Sequence, residues 1–184
     1  MLGEFLFIFV LIKLVLVFYR RKYMNYCFER AWKGDWFVAF VGMCIGGPYV
    51  MGLIEQAPER VASGVLFQTI GLSENREAFF DMFDGWATEL RPTRPEVPAE
   101  AWDQFKMNMY GSDNVLFNVD EAFLKTVTTP LLVLECNDLY HPSESSLVVN
   151  DLAQNTTLIR EWMSGAAMES AAEQFAEFLA SHSS

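Results

Sequence analysis

Residues 36–49, WFVAFVGMCIGGPY, restrict the fold of this chain more than any other part of the sequence. Residues 37–41 are apolar and rich in aromatic and β-branched side chains, and so short an apolar run is typical of a strand buried on both faces. Pro48 then opens a predicted helix that extends to about Gln56. The sequence therefore predicts a strand, a tight turn and a helix, with Cys44 at the apex of the turn.

Cys44 is flanked by glycines two residues before it and two residues after it. Such a turn crowds backbone against backbone, so we expect a Cβ atom at Gly42 or at Gly46 to clash. Cys44 also lies at the predicted N-terminus of a helix, where the dipole and free N–H groups favour a thiolate over a thiol. The pattern predicts a nucleophile, and the alternative is a small side chain that fills a crowded turn.

The rest of the chain alternates strands and helices. A second strand is predicted at residues 61–67, and strand, helix and strand within some thirty residues form a βαβ unit of a parallel sheet. Two further strands are predicted at residues 130–135 and 156–162, with a helix capped by Ser143 between them. A last amphipathic helix is predicted at about residues 166–180.

Residues 71–128 form a helical block between two of the predicted strands. The block is rich in aromatic residues and methionine, and prolines at positions 92, 95 and 98 divide it. Long insertions between sheet strands are mostly functional, whereas aromatic stripes at helical spacing also occur in ordinary core helices. Both interpretations of the block stay open at this point.

The GMCIGG turn at residues 42–47 and the TPLLVLECNDLYHP segment at residues 129–142 occur in the order of the second half of an α/β hydrolase. From residue 36 to residue 182 the chain resembles that superfamily, whose G-x-S-x-G turn carries the nucleophile. The resemblance implies an α/β fold: the C-terminal half of the hydrolase parallel sheet, with residues 71–128 as a helical cap. It further implies cysteine in place of the commoner serine.

The resemblance also assigns roles to individual residues. It implies Cys44 as the nucleophile, the backbone N–H of Ile45 as a donor to the oxyanion, and Asp138 as the acid of a catalytic triad. A loop aspartate that merely turns the chain is the alternative for Asp138. Cysteine at this position is similar to dienelactone hydrolases and polyhydroxyalkanoate synthases.

The sequence has only two histidines, His141 and His182. In α/β hydrolases the catalytic histidine follows the last strand, but residues 162–168, WMSGAAM, contain none. His182, near the end of the chain, is predicted to be exposed and inert. His141 lies three residues after Asp138 and is predicted to serve as the base, with Asp138 as the orienting group. The alternative is that His141 only fixes its loop by hydrogen bonds.

Residues 1–24 are predicted to be a hydrophobic leader that precedes a partial hydrolase domain at residues 25–184. Residues 2–19 are almost entirely apolar and are followed by Arg20, Arg21 and Lys22, as at the cytoplasmic boundary of a membrane anchor. A buried element of the domain and a segment foreign to the fold are the alternatives. The fold's earlier strands are missing, so we expect a dimer or a partner to complete the sheet.

The net charge of −11 argues against a nucleic-acid partner. Three cysteines without paired spacing predict no disulfide framework, no metal site and no cofactor, and they favour a cytoplasmic setting or a membrane-associated domain on the cytoplasmic side. The predicted function is hydrolysis of an ester, thioester or acyl substrate with an apolar or aromatic acyl group through Cys44. The alternative is a non-catalytic or truncated hydrolase-like protein that binds a small apolar ligand or needs a partner.

Overall fold

The computed structural model describes residues 38–182. The predicted leader at residues 1–24, with its candidate anchor, lies outside the described residues. Among the helices that are described, none is both long enough and apolar enough to cross a membrane.

The described strands form one parallel sheet. Its spatial order follows the chain, β1-β2-β3-β4. In the register of this sheet, Gly64 lies opposite Leu131, and Leu131 lies opposite Thr156. The strands are β1 (Val38–Met43), β2 (Val61–Phe67), β3 (Leu131–Leu134) and β4 (Thr156–Ile159). The predicted α/β class with a parallel sheet is therefore confirmed.

Helices connect the strands and cover both faces of the sheet. Successive residues of a strand point to opposite faces, and both faces of β3 are buried, as the run of apolar residues predicts. Leu131 and Val133 pack on one side with α1 and α5, and Leu132 and Leu134 pack on the other with α6. These helices are α1 (Gly46–Gln56), α5 (Ser143–Leu152) and α6 (Gly165–Ser181).

The segment between β2 and β3, called here the insertion, contains three further helices. They are α2 (Arg76–Leu90), α3 (Ala99–Tyr110) and α4 (Glu121–Leu124). Its apolar residues form an aromatic cluster, defined by Ile70, Phe79, Phe83, Ala87, Trp102, Tyr110 and Phe117.

Three predicted boundaries differ from the structure. Helix α1 begins at Gly46, two residues before Pro48, because the first helical N–H groups have no internal acceptor and proline is tolerated there. Ser143 does not cap α5: Pro142 is the N-cap residue, and the Ser143 hydroxyl donates to the Cys136 carbonyl at 3.3 Å. Strand β4 ends at Ile159 and not at residue 162.

Candidate active site

Cys44 occupies the turn between β1 and α1, in the left-handed region of backbone conformation with φ of 56°. A residue with a Cβ atom seldom adopts this conformation. The turn is held to the end of β2 by two hydrogen bonds. The Cys44 N–H donates to the Phe67 carbonyl at 3.0 Å, and the Cys44 carbonyl accepts from the Ile70 N–H at 3.3 Å. The predicted strand, tight turn and helix are all present.

The crowding of this turn differs in one respect from the expectation. A Cβ atom on Gly42 would overlap the backbone of Gly46, as predicted, because the turn folds the helix start back onto the strand end. A Cβ atom on Gly46 would meet nothing within 4 Å, so the expectation of a clash there was wrong. The second crowded position is Gly47, whose Cβ would overlap the side chain of Thr69.

The Cys44 thiol is half-buried, and together with Ile45 it packs against the aromatic cluster. Burial raises the pKa of the thiol; its interaction with the Ile45 N–H lowers it, and the negative charge of Asp138 raises it again. The Ile45 N–H therefore lies within reach of the Cys44 sulfur, at the start of α1. Desolvation is the larger effect, so it opposes the thiolate that the helix terminus is expected to favour.

Asp138 organises the loop that follows β3. Its Oδ1 accepts hydrogen bonds from the backbone N–H groups of Tyr140 and His141, each at 2.9 Å. The imidazole Nδ1 of His141 lies 2.9 Å from Oδ1 and 3.0 Å from Oδ2. Partial burial alone would raise the pKa of Asp138, but the bonds from His141 and Tyr140 hold it below the ordinary value.

His141 is buried, with 6% of its surface exposed. Since Nδ1 faces a carboxylate that only accepts, we assign the ring proton to Nδ1 and the lone pair to Nε2. Among the residues the structure describes, nothing forms a hydrogen bond with the buried Nε2 atom, so the Cys44 thiol is not hydrogen-bonded to it. The structure thus joins Asp138 and His141 by hydrogen bonds and shows no such bond between Cys44 and the imidazole.

The two loops nevertheless meet at one edge of the sheet. The Asn75 side chain donates to the Leu139 carbonyl at 2.7 Å and to the Gly71 carbonyl at 3.1 Å. The Ser145 hydroxyl donates to the carbonyl of Thr69. The next residue, Ile70, is the one whose N–H donates to the Cys44 carbonyl. The carboxyl ends of parallel strands share an edge, and these bonds join the loop of Asp138 to the loop beside Cys44.

Comparison with solved structures identifies this arrangement of strands and helices. Rv0554 of Mycobacterium tuberculosis superposes with a TM-score of 0.54 and 17% identity, over 80% of this chain and 66% of its own. A hydrolase from Pseudomonas aeruginosa PA01 gives a TM-score of 0.53 and 14% identity, over 84% and 67%. The 2-hydroxy-6-oxo-6-phenylhexa-2,4-dienoate hydrolase of Rhodococcus sp. strain RHA1 gives 0.51 and 18%, over 79% and 65%.

The chain has a partial α/β-hydrolase fold. It spans about two thirds of the length of these structures, so it corresponds to part of the fold that they contain, as predicted. No protein-family profile matches the sequence, and no curated protein sequence matches it. At identities below 20% the likeness shows the fold and leaves the chemistry to the site itself.

The loop after β4, where α/β hydrolases carry their histidine, holds a tryptophan here. The Trp162 indole donates to the Glu135 carbonyl at 2.6 Å and packs edge-on against Phe67 at 5.5 Å between ring centroids. His182 is half-buried, with its ring 4.6 Å from that of Phe178, so the expectation of full exposure was wrong. It lies at the C-terminus of α6.

Tyr110 is a residue of this site that the sequence indicated only as part of a helix. It ends α3, it is 5% exposed, and its ring stacks on Phe79 with 4.9 Å between centroids. The pKa of Tyr110 is raised to about 12, mainly by burial, and the nearby Cys44 and Tyr49 act in the same direction. Helical periodicity predicts that such a ring is buried, but it does not predict that Cys44, in the turn after β1, is its neighbour.

Cys136, Asp138 and His141 form one compact group of potential metal ligands in the loop after β3. The Cys136 Sγ lies 3.4 Å from Asp138 Oδ2, and one ligand atom from each residue lies within 4.8 Å of the others. Burial raises the pKa of Cys136 to about 11, and the hydrogen bond and charge of Asp138 act in the same direction. Cysteine spacing predicted no metal site, because the group combines three residue types.

Proposed function

We propose that this chain is a hydrolase in which Cys44 attacks the carbonyl carbon of an ester, thioester or activated acyl group. The proposal depends on one observation: Cys44, held at a positive φ between β1 and α1, shares a sheet edge with a histidine whose Nε2 is free and whose Nδ1 is bound to Asp138. Residues in sparsely populated conformations concentrate at active sites, and an activated nucleophile requires a base with an orienting group.

The proposed steps conserve protons. The Cys44 thiol gives its proton to Nε2 of His141, directly or through one water, as its sulfur forms a bond to the carbonyl carbon. The tetrahedral oxyanion accepts a hydrogen bond from the Ile45 N–H. When the leaving group departs it takes the proton from Nε2, and a water molecule then hydrolyses the acyl-thioester. Catalytic hydrogen bonds that are long without substrate often shorten in the substrate complex.

The aromatic cluster suggests the substrate class. Cys44 and Ile45 both pack against it, and the rings of Phe79, Tyr110 and Phe117 lie within 5.5 Å of one another between centroids. We propose that the insertion acts as a cap over the nucleophile and that the acyl group is apolar or aromatic. Because the chain spans two thirds of its structural relatives, we also propose that a second copy or a partner completes the sheet beside β1.

The test measures turnover of p-nitrophenyl esters of increasing acyl length by the full chain and by variants. We expect Cys44→Ala and His141→Gln each to lower kcat/KM at least about 100-fold, because each removes a group that acts in the transition state. His182→Gln, at the C-terminus of α6, is the matched histidine control and should keep the activity. Turnover that survives Cys44→Ala would overturn the proposal.

One observation favours a second candidate, a hydrolase-like protein that binds a small apolar ligand without turnover. The thiol has a raised pKa and no hydrogen-bonded base among the described residues. In that case an apolar fluorescent probe should bind, and its binding should be insensitive to His141→Gln, while no ester is hydrolysed. Acyl-enzyme formation on Cys44, detected by mass spectrometry, would exclude this candidate.

A further inference from the structure

We propose that Cys136, Asp138 and His141 bind a Zn²⁺ ion in the loop after β3. The site is distinct from the nucleophile, and binding of the metal does not depend on the proposed hydrolysis. It shares Asp138 and His141 with the proposed catalytic pair, so occupation by metal and service as a base are alternative uses of the same side chains.

The donor atoms already lie at distances close to those of a zinc site. Asp138 Oδ1 is 2.9 Å from His141 Nδ1, and Asp138 Oδ2 is 3.4 Å from Cys136 Sγ. Tetrahedral zinc has bonds of about 2.0–2.3 Å, which places its ligand atoms about 3.3–3.8 Å apart. The Asp138–His141 pair must separate by a few tenths of an ångström to admit the ion. All three ligand atoms already lie within 4.8 Å of one another, so no pair has to approach by more than about 1 Å, and the fourth position is left to water.

The donor set favours zinc among the common divalent ions. Calcium and magnesium are held by oxygen ligands, whereas a thiolate, an imidazole and a carboxylate together suit Zn²⁺. In the metal-free loop the Asp138 carboxylate accepts from both the thiol and the ring N–H. On binding, the ion replaces the thiol proton, which leaves for water, and the ring proton moves from Nδ1 to Nε2. The charge of the ion then balances one thiolate and one carboxylate.

The loop holds its ligands in place before any ion binds. Cys136 lies two residues after the end of the buried strand β3, and its carbonyl accepts a hydrogen bond from the Ser143 hydroxyl. The Asp138 side chain is fixed by the N–H groups of Tyr140 and His141, and the imidazole is buried. A ligand set that needs little reorganisation loses little conformational entropy on binding.

Metal binding has a consequence for the proposed hydrolysis, and this part rests on the proposed function. With zinc on Nδ1, the Nε2 atom carries a proton and cannot accept one from the Cys44 thiol. Zinc should therefore inhibit ester turnover, and a chelator should restore it. If zinc binds but does not inhibit ester turnover, the assignment of His141 as the base is contradicted, whereas the metal site is not.

The metal site is tested with Co²⁺ as a spectroscopic substitute, added to the full chain after chelator treatment. We expect one equivalent of cobalt to give a thiolate-to-cobalt charge-transfer absorption that one equivalent of Zn²⁺ abolishes. The band should persist in the matched cysteine controls Cys44→Ser and Cys27→Ser and should be lost in Cys136→Ser. The proposal would be overturned if the band survived Cys136→Ser, or if the unmodified protein gave no band.

A second measurement needs no substitution at the loop and so does not depend on whether Cys136→Ser folds. Zinc should slow the alkylation of Cys136 in the unmodified protein at least about tenfold, because a thiolate bound to the ion is withdrawn from the reagent. Alkylation of Cys27, which is not one of the proposed ligands, should change less than about twofold. Mass spectrometry of the labelled peptides gives both rates in one sample. Equal rates at Cys136 with and without zinc would contradict the proposal.

Discussion

The imidazole Nδ1 of His141 lies within 3.0 Å of both carboxylate oxygens of Asp138, three residues earlier in the same loop. A base and its orienting group are thus supplied by one loop after β3. The loop after β4, where the fold ordinarily places its histidine, is occupied by Trp162. The geometry of the pair is therefore fixed by local hydrogen bonds in the loop and not by the register between β3 and β4.

The reactivity of Cys44 should rise with pH over a range above that of an ordinary thiol. Its pKa is raised by burial, so at neutral pH a smaller fraction is thiolate than in a free cysteine, and the fraction grows as pH increases through the raised value. Iodoacetamide labelling followed by mass spectrometry across pH gives the curve. A plateau reached below about pH 8.5, the ordinary thiol value, would contradict the raised pKa.

The two glycines beside Cys44 should differ sharply in their tolerance of alanine. Gly42→Ala places a Cβ against the Gly46 backbone and should lower the free energy of unfolding by about 2–3 kcal/mol, as overpacking does. Gly46→Ala is the matched control: its Cβ has open space and α1 gains a better helix former, so stability should be unchanged or higher. Urea denaturation measures both, and equal losses would contradict the described turn.

The aromatic cluster should depend on its central ring. Phe79 is 1% exposed and stacks on Tyr110, so Phe79→Ala should lower the free energy of unfolding by about 3–5 kcal/mol. Phe105, on α3, is 43% exposed, and the same change there should cost about 1 kcal/mol or less. Urea or thermal denaturation, with matched m-values, measures both. Comparable costs at the two positions would show that Phe79 is not central.

Arg76 should join the start of α2 to the segment after α3. Its guanidinium donates to the carbonyls of Tyr110 and Ser112, each at 2.9 Å, and to Asp113 Oδ1 at 2.7 Å. We expect Arg76→Ala to cost about 2 kcal/mol in the free energy of unfolding, since it leaves two carbonyls without a charged donor. Asp113, whose side chain is 98% exposed, contributes only a solvated ion pair.

The control for this prediction is Asp113→Ala, which removes the ion pair and leaves both carbonyl contacts in place. Stability should change little in that variant at ordinary ionic strength. If the two variants lose the same stability in denaturant unfolding, the ion pair and not the backbone contacts would be the stabilising part. The stability difference between Asp113→Ala and the unmodified protein should shrink as salt is added, because salt screens the exposed ion pair. The contribution of the hydrogen bonds to the two carbonyls should depend less on salt.

Local patterns in the sequence were sufficient for the elements of the fold. The apolar runs predicted β1, β2 and β3 to within two or three residues, because a strand buried on both faces admits almost no polar side chain. Boundaries were less determined where a residue fits two positions equally well. Ser143 fits an N-cap position or the first helical turn, and its hydrogen bond to Cys136 selected the latter.

The sequence by itself determined the order of strands and helices, the turn that carries Cys44, and the absence of a histidine after β4, since each of these follows from neighbours along the chain. Tertiary structure alone decided the burial that raises the pKa of Cys44 and the crowding of Gly47 by Thr69. Desolvation and contact depend on which distant segments are brought together in space. The hydrophobic pattern of a helix or strand predicts which of its faces is buried, but it does not predict which other segment packs against that face.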